Sequence, residues 1–70
     1  MDYNLFELFF KAELKRLKLR KKDVAEGLAI QMPTLKTRVE DPDLFKILEI
    51  KDLREMGFDT DTMLNLIINT

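Results

Sequence analysis

Seventy residues, 46% of them apolar and 36% charged, suffice for one small globular domain with a single core. The absence of cysteine and histidine removes disulfides, thiolate and imidazole metal sites, and the commonest nucleophiles and general bases; the carboxylates, lysines and Tyr3 that remain form no arrangement suited to catalysis. The net charge of −1 hides an uneven distribution, −2 over residues 1–10, +6 over residues 11–38 and −5 over residues 39–70.

The first predicted helix runs from Asp2 to about Leu17, with Phe6, Phe10, Leu14 and Leu17 on one side and Asp2 placed to cap its start. Leu5, Leu8 and Phe9 fall at the edge of that stripe, where they are candidates for contact with another protein chain. The opening MDYNLFELFF is acidic where an export signal carries positive charge, and no apolar run approaches the roughly 18 residues a membrane span needs. A cytoplasmic location without membrane association is therefore expected.

Lys15, Arg16, Lys18, Arg20, Lys21 and Lys22 follow. Cations at the end of one helix are favoured by its dipole, but at the start of the next the sign reverses. Lys21 and Lys22 most need another reason to be there, and phosphate contact supplies one. Lys18, Arg20, Lys21 and Lys22 are the candidate phosphate contacts.

Arg20 to Val39 reads as two short helices around a tight turn. Lys22 to Leu28 offers Val24, Ala25 and Leu28; a second helix from Met32 or Pro33 to Glu40 offers Leu35 and Val39, so each presents one narrow apolar stripe to the other. Ala25 is small where the helices cross, Ile30 plugs the turn, and Pro33 suits a first helical turn. With Leu35 and Val39 inward, Pro33, Thr34, Lys36 and Thr37 face out, Arg38 lies at the flank, and Gln31 and Met32 occupy the tip. Gln pairs bidentately with adenine, and Thr or Met touches a thymine methyl, which makes Gln31, Met32, Thr34, Lys36, Thr37 and Arg38 candidate base readers. The competing account is an ordinary solvated helix face.

Glu40, Asp41, Pro42 and Asp43 end this helix. They lack the alternating oxygens and central Gly of a calcium loop, and Gly27 and Gly57 are too far apart to build a phosphate loop, so neither metal nor cofactor is expected. Leu44, Phe45, Ile47, Leu48, Ile50, Leu53 and Met56 supply a fourth helix over about Ile47 to Met56, closed by Gly57 in a left-handed cap, with Phe58 folding back on the core. Asp59, Thr60 and Asp61 cap a final segment, Thr62 to Ile68, read as a helix in preference to a strand LIIN added to a partner. The apolar run Met63, Leu64, Leu66, Ile67 and Ile68 makes residues 59–70 a candidate dimerisation segment.

The order of Lys21, Val24, Ala25, Ala29, Ile30, Thr34 and Leu35, followed by Pro42 and Phe45 in a loop, Ile50 and Leu53 in a further helix and Gly57 beyond it, resembles the helix-turn-helix of phage Cro and repressor-type regulators, the lambda-repressor-like group. The resemblance spans about two-thirds of the chain. Two positions depart from it: Ala29 stands where a turn Gly is usual, at a cost of about 1 to 2 kcal/mol if it turns left-handed, and Gln31, Met32 and Pro33 replace the usual Ser or Thr cap. The resemblance implies an all-α bundle of about five short helices and a DNA-binding transcriptional regulator without enzymatic activity. It also implies a homodimer on double-stranded DNA with the second motif helix in the major groove. The alternative is a protein-interaction module that keeps the fold without reading bases.

Overall fold

The computed structural model describes residues 5–69, so Asp2, expected as a cap, and Tyr3 lie outside the described residues. Five α-helices follow in order: α1 Leu5–Leu17, α2 Lys21–Leu28, α3 Met32–Glu40, α4 Ile47–Glu55 and α5 Thr60–Ile68, with a 3-10 turn at Pro42–Leu44. There is no strand among the described residues, and the LIIN segment belongs to the end of α5.

Three of the helices stop by the same device. After α1, α2 and α4, one residue adopts positive φ, namely Lys18 at 57°, Ala29 at 58° and Gly57 at 106°. The next amide then reaches back five residues: Leu19 to Leu14, Ile30 to Ala25 and Phe58 to Leu53. Each bond joins an apolar residue beyond the helix to a buried residue inside it, so the backbone closure and a hydrophobic contact form together. Ala29 takes the left-handed conformation that sequence alone left conditional. Only at Gly57 is glycine required: its φ lies beyond the usual left-handed well, and an added Cβ would stand 2.9 Å from Leu17 Cδ2.

The starts of α2, α4 and α5 are capped by carboxylates. Asp59 accepts from the Thr62 amide at 3.1 Å and the Thr62 hydroxyl at 2.7 Å, and these bonds, the hydroxyl first, hold its pKa below the ordinary value. Asp23 accepts from the Arg20 amide at 2.8 Å at the head of α2, and Glu49 from the Lys46 amide at 2.9 Å at the head of α4.

Phe6, Phe10, Val24, Leu35, Leu53 and Met63 are the most deeply buried side chains. A row of rings runs through the core from Phe45 to Phe6 (centroids 5.8 Å apart), Phe6 to Phe10 (6.3 Å) and Phe10 to Phe58 (5.3 Å), joining α1 to the segments on either side of α4. Phe9 leans on Phe6 at 5.9 Å and is half-buried. Two expectations about apolar residues change. Met63 is fully enclosed and Leu66 and Ile67 pack against the core, leaving Leu64 and Ile68 as the exposed members of the tail. Conversely, Phe45 takes the core position before α4, and Leu44, Ile47 and Leu48 are left exposed at 45%, 69% and 72%.

Charged groups tie α1 to the α4–α5 loop. Glu13, buried in the α1 face, accepts from Arg16 Nε at 2.7 Å and Nη2 at 2.9 Å, and from the Asp59 amide at 2.8 Å. Arg16 Nη2 also donates to the Gly57 carbonyl at 2.8 Å. Arg16 therefore serves the fold, although sequence placed it within the basic run.

Candidate nucleic-acid interface

The unit under test is α2, the turn Ala29–Ile30–Gln31, and α3. Eight residues, three residues and nine residues succeed one another. Val24, Ala25 and Leu28 of α2 and Leu35 and Val39 of α3 are buried, as the stripes require, and Ile30 packs against the same core. The left-handed Ala29 turns the chain sharply enough for α3 to begin within three residues. Behind α2, Met56 lies over Gly27 where a Cβ would stand, so the α2–α4 approach uses the missing side chain.

The outer side of α3 is uncovered: Gln31, Met32, Pro33, Lys36 and Thr37 are exposed and Thr34 is half-buried. Gln31 is the N-cap residue and its side chain makes no capping bond. The Thr37 hydroxyl donates to the Pro33 carbonyl at 3.0 Å, so its proton is used within the helix while its methyl and lone pairs face out.

Arg38 is placed differently from the other candidates. Its Nε donates to Glu49 Oε1 at 3.1 Å and its Nη2 to Oε2 at 3.5 Å, with the Arg38 side chain 15% exposed. It clamps α3 to the first turn of α4. Burial alone would raise the Glu49 pKa; the Arg38 guanidinium and the Lys46 amide outweigh it, and the net direction is downward. Sequence reasoning missed this pair because 11 residues separate the partners. The available signal was Glu49 in the first turn of an otherwise apolar helix start.

Among the phosphate candidates, Lys18, Arg20 and Lys22 are exposed and Lys21 is half-buried at the start of α2. Asp23 shares the Arg20 guanidinium at 3.4 Å, and the Arg20 amide, then its side chain, lower the Asp23 pKa. Lys21 and Lys36 come together on the rim of a cleft of about 440 Å³ whose floor is Met32, Pro33, Leu35 and Val39. Glu7 of α1 and Glu40 at the end of α3 line the same cleft, so it holds two cations and two carboxylates. Lys18 and Arg20 precede Lys21 in the chain and are exposed. Among the described residues no group of three or more acidic side chains is arranged to hold a metal ion, and no helix is long and apolar enough to cross a membrane.

No protein-family model, curated protein or solved structure matches the chain.

Proposed function

We propose that this chain is a small sequence-specific DNA-binding transcriptional regulator, a helix-turn-helix domain of the lambda-repressor-like kind. It acts as a homodimer in the cytoplasm, and α3 enters the major groove. The observation that carries this reading is a nine-residue helix, set three residues after an eight-residue helix, whose outer side is uncovered, with Lys21 of the α2 start lining the same cleft as Lys36 and with Lys22 exposed next to it in the chain. Cations placed against the dipole of their own helix gain from a phosphate what they lose from that helix. Lys18, Arg20, Lys21 and Lys22 hold phosphates; Gln31, Met32, Thr34, Lys36 and Thr37 meet base edges; Arg38 keeps α3 in place from behind.

A second reading has its own support. The apolar floor of the α1–α3 cleft, the used Thr37 proton and the engaged Arg38 suit a module that binds a protein segment on this face. Gel-shift titration on a pool of random duplexes at several salt concentrations separates the two. A regulator binds the pool with an affinity that falls steeply with salt and yields a preferred sequence on repeated selection. An interaction module stays at background throughout.

A further inference from the structure

The cleft beside α3 has a volume of about 440 Å³, which suits one small molecule. Its floor is apolar, and the residue that α1 brings to it is Glu7, so α1 lays no apolar side chain over Met32, Pro33, Leu35 and Val39. The four charged groups of the lining are not equivalent. Glu7 meets Lys11 at 3.9 Å, and Glu40 is engaged as well. Among the described residues the ammonium groups of Lys21 and Lys36 have neither a hydrogen bond nor an ion pair. The polar capacity left over in the cleft is therefore cationic, with three N–H donors on each ammonium.

We infer that this cleft binds a small amphiphilic anion, with a hydrocarbon chain on the floor and an acid group held by Lys21 and Lys36. The lining selects that chemistry. An apolar chain takes the floor out of water, and an acid group accepts charge-assisted hydrogen bonds from the two unpaired ammonium groups. A neutral chain of the same length leaves both ammonium groups as they are, and a cationic one adds a like charge beside them. The site has a regulatory consequence that rests on the reading above, in which Lys21 holds a phosphate and Lys36 meets a base edge. Ligand and duplex then need the same two cations, so each lowers the affinity for the other by the same factor.

Decanoate, kept below its micelle concentration, is the probe, titrated without DNA into the whole isotope-labelled chain and followed by amide NMR signals. The Leu35, Lys36 and Val39 amides should shift along a saturating curve, and decyltrimethylammonium should produce no such curve. Lys21→Gln with Lys36→Gln should weaken decanoate binding by about tenfold or more, for the loss of two charge-assisted bonds. Lys18→Gln with Lys51→Gln makes the same change in net charge outside the cleft lining and should bind as wild type. Met32→Glu sets a carboxylate on the floor and should abolish binding. Helical circular dichroism checks that each variant is folded. No saturating shift in the wild type, equal binding of decyltrimethylammonium, shifts centred on Ile47 and Leu48, or unchanged affinity in the Lys21 and Lys36 variant each overturns the inference. Saturation by a peptide of alternating Leu and Glu, with decanoate inert, gives the cleft to a protein segment and overturns it too. DNA is absent from the titration, so its failure leaves the DNA binder standing, and failure of DNA binding leaves the ligand site standing.

Discussion

Arg38 of α3 and Glu49 of α4 form a largely enclosed ion pair in which Glu49 also caps the helix that carries it. Removing one member strands the other in a poorly solvated place, whereas replacing both with apolar groups does not. Arg38→Ala is expected to destabilise the fold by about 1 to 3 kcal/mol, and Arg38→Met with Glu49→Leu by less than the single change. Urea denaturation of both measures the difference. If Arg38→Ala leaves stability unchanged and lowers DNA affinity on one sequence only, Arg38 reads a base after all.

Ala29 sits at φ 58°, ψ 41°, where a Cβ is strained and glycine is not. Ala29→Gly relieves about 1 to 2 kcal/mol of that strain and returns about 0.4 to 1 kcal/mol through the looser unfolded chain. A net gain of about 0 to 1.6 kcal/mol is expected, each 1 kcal/mol being worth roughly 4 to 8 °C in Tm for a domain of this size. Gly57→Ala should act in the opposite direction, since φ 106° and the Leu17 side chain both exclude a Cβ. Thermal melts followed at the helical band test the pair, and a lower Tm for Ala29→Gly contradicts the turn geometry.

Four carboxylates, Glu13, Asp23, Glu49 and Asp59, are held below their ordinary pKa, and the two buried ones, Glu13 and Glu49, tie helices together. Arg16 is the largest influence on Glu13, followed by burial, which opposes it, and the Asp59 amide; the outcome is a pKa below the ordinary 4.5. Glu49 is lowered in the same direction from the same ordinary value. A lowered folded pKa means that the unfolded chain binds more protons in acid, so the stability these groups add is present above 4.5 and lost as pH falls through their folded values. The urea midpoint should be level down to about pH 5 and fall below it. Glu13→Gln should start lower at neutral pH and fall less. An equal fall in both proteins would show that Glu13 has no part in it.

Local signals were legible in the sequence, and distant pairings were not. The stripes of α2 and α3, the stop at Gly57 and the cap at Asp59 each depend on residues within five positions, so spacing and residue type were enough. Arg38 with Glu49 and Arg16 with Gly57 are separated by 11 and 41 residues, and no periodicity announces such partners. In α4 the apolar residues surround the helix, so periodicity gave the element without its buried face. In the structure Phe45 is the buried residue there, and Ile47 and Leu48 are exposed. Met63 shows the converse, since it belongs to an apolar terminal run yet is fully enclosed in the core, while Leu64 and Ile68 of the same run are exposed.

The proposed DNA surface divides into groups that position and groups that read. On that proposal Lys21 and Lys22 meet phosphates, which carry no sequence information, so replacing either with Ala should weaken binding equally on every duplex. Each lost contact should flatten the slope of log affinity against log salt by about 0.9. Gln31, Thr34, Lys36 and Thr37 are proposed to meet base edges, and substitution there should cost about 1 to 3 kcal/mol on the selected duplex and little on others. Thr37 tests the geometry most sharply. Its hydroxyl proton is held by the Pro33 carbonyl, leaving a methyl and an acceptor to face the groove. Thr37→Val keeps the methyl and should retain affinity where the contact is a thymine methyl, while Thr37→Ser should lose it. Full affinity in the Lys21 and Lys22 variants would place the duplex on another face. Loss in Thr37→Val with retention in Thr37→Ser would make the hydroxyl oxygen the reading group, accepting from a base amino group in place of packing on a methyl.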